Sequence, residues 1–106
     1  MKLKKGSKLF ISIDYPIGTM EYSQEAEQAY NNVVAHLTQM AKERFFVGGT
    51  IPGIEGAMVV FEAENLEEAE KVARMKDCPF ITKGYYRREL HEWNIVISSE
   101  DNGGTQ

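Results

Sequence analysis

Residues 56–76 read GAMVVFEAENLEEAEKVARMK, and the apolar period changes partway through them. Ala57, Val59 and Phe61 alternate with Met58 and Val60, the period of two that a strand imposes on its side chains. From Asn65 the pattern becomes helical. Asn65 is a capping residue, and Glu68, three positions on, completes the pattern of a capping box. Glu67 with Lys71, and Glu70 with Arg74, stand four apart and lace the solvated face. A strand running into an amphipathic helix is the unit around which the rest of the chain is read.

Upstream, KLFISIDY (8–15) alternates Leu9, Ile11 and Ile13 with Phe10, Ser12 and Asp14, which predicts a strand. Pro16 and Gly18 break it. Ser23 caps a long helix that carries Glu25 and Glu27 in its first turn, where acids suit the positive end of the helix dipole. Ala26, Ala29, Tyr30, Val33, Leu37, Met40 and Ala41 recur at helical spacing as far as Glu43. RFFVGGTIPG is a short strand that runs into a turn, and YYRRELHEWNIVIS (85–98) is a long final strand. The order β-α-β-β-α-β is the ferredoxin-like, split βαβ arrangement of the α+β class: a four-stranded antiparallel sheet with two helices on one face. The domain is expected over 8–98, flanked by a basic tail at 1–7 and a disordered polar tail at 99–106.

Two helices cover one face of such a sheet. The other face is expected to be apolar as well, since Met58 and Val60 oppose Val59 and Phe61, and Tyr85, Trp93, Ile95 and Ile97 oppose Tyr86, Leu90 and Val96. An apolar face of that size calls for a cover, and a symmetric homodimer, sheet against sheet, supplies one. No spare segment is left to fold over it.

The totals narrow the function. A chain of 106 residues is one domain and buries roughly 60–70% of the surface it exposes when unfolded. Of its 12 basic residues, Lys2, Lys4, Lys5 and Lys8 lie at the start, which leaves an acidic body carrying all 16 carboxylates. That argues against nucleic acid, whose binding rests on neutralising phosphates. The opening lysines and LFISI resemble a signal peptide only faintly, because the apolar run is short and Asp14 cuts it off. No stretch is long enough to cross a membrane. A lone cysteine forms no internal disulfide and fits a reducing cytoplasm. There is no CxxC and no histidine cluster, so no metal site and no cofactor are expected. GGTIPGIEG lacks the lysine and helix start of a phosphate cradle.

GAMVVFEAENLEEAEKVARMKDCPFITKGYYRRELHEW (56–93) resembles the YciI-like, or YCII-related, family of small dimeric α+β barrel proteins. The likeness rests on NLEEAEKVA as second helix, a DPF-like step closing it, ITKGYY as turn and aromatic pair, and the tryptophan near HEW. It extends over most of 8–97, with the first helix leading into FFVGG. The resemblance implies a dimer with its sheets face to face and a pocket between sheet and helices. It also implies a histidine on the first helix and an aspartate before the proline, acting as general acid and base; one related branch is linked to dechlorination of aromatic hydroquinones. Carried over residue by residue, that pair falls on Asn32 and Cys78. Asparagine does not shuttle a proton as histidine does.

His36 is the nearest replacement. It lies one step outside the apolar stripe, beside Ala29 and Met40, with Asn32 one turn before it. It faces either a cleft or solvent. Asp77 and Cys78 stand before Pro79, which ends the second helix there, since a residue preceding proline is pushed out of helical geometry. Cys78 is then a buried structural residue or a reactive one, and Asp77 a turn residue or an acid–base group. Asp14 and Tyr15 end the first strand, where pockets in such sheets open; Asp14 is a base partner or a solvated turn residue. The charges on both faces of the last strand mark an edge. The expected function is a small-molecule pocket supporting lyase- or isomerase-like proton transfer, with His36, Asp14 and Asp77 as catalytic candidates and Asn32, Cys78 and Tyr15 lining the site. The alternative is a non-catalytic binding or structural dimer that has lost the family pair.

Overall fold

A computed structural model describes residues 8–18 and 23–97; the two expected tails lie outside the described residues. The elements run β1 (Lys8–Pro16), α1 (Gln24–Glu43), β2 (Phe46–Ile51), β3 (Gly56–Ala63), α2 (Leu66–Val72), α3 (Pro79–Thr82) and β4 (Tyr86–Trp93). The sheet order is β2-β3-β1-β4, with every neighbouring pair antiparallel. This is the ferredoxin-like βαββαβ order, with the helices on one face.

The capping signals act as read. Ser23 Oγ accepts from the Ala26 amide at 3.0 Å, and Asn65 Oδ1 accepts from the Glu68 amide at 2.9 Å. The reciprocal half of the capping box is shifted by one residue: Glu68 Oε1 accepts from the amide of Glu64, at 2.8 Å, in place of Asn65.

The second helix stops earlier than Pro79. Arg74 takes a left-handed φ of 52°. Its amide bonds to Lys71 O, and the Met75 amide reaches back to Glu70 O, both at 3.1 Å. These are the two bonds of a Schellman stop. Arg74 therefore leaves the helix, and its guanidinium pairs with Asp77 at 3.2 Å in place of Glu70. Lys71 does meet Glu67, at 3.9 Å. Pro79 begins a helix and does not end one. It is the first residue of the one-turn α3, with Cys78 at its N-cap position, because proline's missing N–H costs nothing at the start of a helix. Gly84, at φ 79°, then turns the chain into β4. That strand closes at Trp93, and residues 94–97 lie beyond it.

Period-two alternation divides the sheet cleanly. Phe10, Ser12 and Asp14 of β1 stand on the helix side, in register with Phe61, Val59 and Ala57 of β3. Leu9, Ile11 and Ile13 stand on the other side with Glu62, Val60 and Met58. The solid core lies beneath α2, where Phe10, Phe61 and Ala63 pack with Ala69, Val72 and Ala73. Phe61 stacks between Phe10 and Phe46, with centroids 6.1 and 6.0 Å away. α1 differs: none of its 20 residues is buried.

Candidate functional site

The space between α1 and the sheet is a cavity of about 490 Å³. Its floor is built from small inward residues. Ser12 of β1, Ala57 of β3 and Thr50 of β2 line it, and all three stand on the helix side of the sheet. Its walls are Val33 and Leu37 of α1, Phe46 of β2, Val72 of α2 and Phe80 of α3.

Asp14 and Arg88 sit directly opposite each other on β1 and β4 and form a forked ion pair. Arg88 Nε donates to Asp14 Oδ1 at 2.6 Å and Nη2 to Oδ2 at 2.8 Å. Arg88 Nη1 donates to Ala73 O at 2.5 Å, and Nη2 lies 3.8 Å from Cys78 Sγ. Burial works against the charged guanidinium, but the bonds and charge of Asp14 outweigh it, and the Arg88 pKa is raised. The pair ties β1 and the edge strand β4 to the α2–α3 segment.

His36 lines the cavity from α1. Its Nε2 lies 2.9 Å from Val72 O, and because a carbonyl only accepts, the ring donates from Nε2. Ser12 is 6% exposed and lines the same cavity, and its hydroxyl, open to that space, meets no hydrogen-bond partner among the described residues.

Of the residues singled out in the sequence, the structure gathers His36, Asp14 and Cys78 on the cavity wall. His36 and Asp14 are each bonded elsewhere, and no hydrogen bond joins them. Cys78 is 1% exposed. Tyr15 falls on the opposite face from Asp14, as neighbours in a strand must, and Arg87 lies over its ring at 4.6 Å. Asn32 is solvent-exposed on α1. Asp77 is exposed and held by Arg74, whose Nη2 also reaches Asp77 O at 3.1 Å. Neither lines the cavity.

Sequence reasoning does not single out Arg88 or Ser12. Arg88 reads in sequence as one of several edge charges. The usable signal is its parity: it shares the inward side of β4 with Tyr86 and Leu90, a charge set among apolar neighbours. Among the described residues no group of three or more His, Cys, Asp or Glu is arranged to hold a metal ion, and no helix is long and apolar enough to cross a membrane.

The fold and the hollow beside its longest helix define a small α+β domain with an inter-layer pocket. Residues 9–94 match the YCII-related domain, and the chain belongs to that family. No curated protein matches it. Among solved structures, it is similar to the crystal structure of an amidase of the hydantoinase/carbamoylase family from Burkholderia phymatum, with a TM-score of 0.44 and 16% identity. That match covers 85% of this chain and 28% of the amidase chain.

Proposed function

We propose that this protein binds a small molecule in the cavity between α1 and the sheet. The volume of about 490 Å³ falls within the roughly 300–1,000 Å³ of ligand pockets. The walls are mainly apolar and carry a few fixed polar groups, as such pockets do. The observation that carries the reading is α1 itself. A helix of 20 residues lies against the domain with none of them buried; Met40, near its end, packs against the core, and Val33 and Leu37 before it roof a hollow. The test is an amide NMR titration with toluene. Shifts concentrated at Val33, Val59 and Val72 support the pocket; a spectrum unchanged at these residues near saturating toluene rejects it.

Binding without catalysis ranks above proton transfer because Asp14 is engaged. Both of its oxygens accept from Arg88, so it acts as the arginine's counterion and not as a free base. One observation favours the catalytic alternative. With Nε2–H given to Val72 O, a neutral His36 ring keeps its basic lone pair on Nδ1. If the protein turns over a substrate by proton transfer, His36→Ala abolishes that turnover; full activity in the variant removes His36 from the role.

We further propose that a second copy of the chain covers the other face of the sheet, in a reducing cytoplasm suited to the free thiol of Cys78. Val47, Met58 and Trp93 are 55%, 40% and 42% exposed on that face. Arg87 and Glu89 alternate along its edge, a pattern that is self-complementary about a two-fold axis. Sedimentation at micromolar concentration is expected to give twice the 12.0 kDa chain mass, and Met58→Lys is expected to return it to one. A wild-type chain that sediments only as a monomer excludes this dimer.

A further inference from the structure

We infer that the cavity selects an uncharged ligand: a largely apolar molecule with one hydrogen-bonding group, which the Ser12 hydroxyl meets. The inference rests on the reading of the cavity as a ligand site and specifies what that site takes.

The charged groups on the wall offset one another. They are Arg74 and Arg88 against Asp14 and Glu55. The two arginines are also already engaged. A guanidinium offers two edges at which a carboxylate can be gripped in parallel. On Arg88 the Nε–Nη2 edge is filled by Asp14, and the other edge by Ala73 O and Cys78 Sγ. Arg74 is turned to Asp77. An anionic ligand entering here would find no open fork on Arg88 and would lie against the Asp14 carboxylate. A cationic ligand would face Arg88 in the same way. Desolvating an ion without a partner is the most unfavourable way to fill an apolar hollow.

Ser12 is the complementary observation. It is a polar side chain more than nine-tenths buried, set in the floor of the cavity. Its cross-strand neighbours are the apolar Val59 and Leu90. Its hydroxyl opens on the cavity and has no hydrogen-bond partner among the described residues, and in this position a bound molecule can meet it. Because a hydroxyl both donates and accepts, it suits an amide, a carbonyl or an alcohol on an otherwise apolar body.

The test uses three ring compounds of similar size at pH 7, titrated into the full chain and followed by its amide NMR spectrum: benzamide, benzoate and toluene. Benzamide is expected to shift the amides of Ser12, Val59 and Leu90 and to bind at least about tenfold more tightly than benzoate, a difference of roughly 1.4 kcal/mol. Ser12→Ala is expected to weaken benzamide about five- to tenfold, the span of one neutral hydrogen bond, and to leave toluene unchanged, which shows the variant cavity intact. Benzoate binding as tightly as benzamide, or more so, overturns the preference for an uncharged ligand while the pocket stands. Equal losses of benzamide and toluene in Ser12→Ala overturn the role of Ser12. If none of the three shifts the cavity amides, the pocket reading falls and this inference with it.

Discussion

α1 and α2 lie on the same face of one sheet, and they do different things. Beneath α2 the space is filled: Ala69 is fully buried and packs with Phe10 and Phe61. Beneath α1 it is hollow. The helices do not explain this, since α1 carries Val33, Leu37 and Met40 at helical spacing. The strands beneath explain it. Under α2 the sheet presents two stacked phenylalanines, of which Phe61 also borders the hollow; under α1 it presents Ser12, Ala57 and Thr50. A hollow of this kind is made by the small residues of the floor, while the roof is an ordinary helix. The α2 half holds the fold together, and the α1 half leaves the space that we propose a ligand fills.

The largest effect should come from the filled half. Phe61→Ala removes the ring at the centre of the aromatic stack and is expected to cost about 3–5 kcal/mol in urea unfolding; a loss below about 1 kcal/mol would mean that the two halves are not packed differently. Next is the ion pair at the border of the hollow. Arg88→Met leaves Asp14, with 19% of its side chain exposed, without its counterion. The expected loss is about 2 kcal/mol, less than for a fully buried pair because solvent reaches the carboxylate.

A smaller effect is expected at the roof. His36→Ala removes the bond to Val72 O, worth about 1 kcal/mol, and amide hydrogen exchange should quicken along α1 while α2 keeps its protection. Equal quickening in both helices would show that they open as one unit. Smallest is Glu89, outside both halves. Its hydrogen bond from Arg87, with a further one from His91, lowers its pKa below the ordinary 4.5. A depressed carboxylate contributes stability that is present above its unfolded value and lost as pH falls through its folded one. Glu89→Gln should therefore flatten the acid limb of the stability profile below pH 4.5 and leave its shape near neutrality alone.

How much of the molecule is legible in its sequence depends on the range of each interaction. Ser23 and Asn65 announce their helices because capping is local. The alternation in KLFISIDY and GAMVVFEA sorts the sheet faces, and with them the helix order, because parity is local too. Register is not. Nothing within β1 or β4 alone says that Asp14 faces Arg88, so the arginine that dominates the cavity wall reads in sequence as an edge charge. Tyr15 groups with Asp14 by nearness in sequence, although parity alone separates them. The sequence carries the second helix to Pro79. Arg74 in a left-handed conformation, unusual for a residue with a side chain, stops it first, and no local pattern of Gly or Asn marks that turn. The cavity is the least legible feature, because a hollow is set by which small residues meet across strands.

The division into a filled and a hollow half is tested most directly by adding one phenylalanine to each. Val33→Phe on α1 and Ala69→Phe on α2 are compared by urea unfolding, with toluene titrated into the first. Ala69→Phe is predicted to lose at least about 1–3 kcal/mol, as overpacked cores do, while Val33→Phe keeps or gains stability and no longer binds toluene. A Val33→Phe protein destabilised as much as Ala69→Phe would contradict the division.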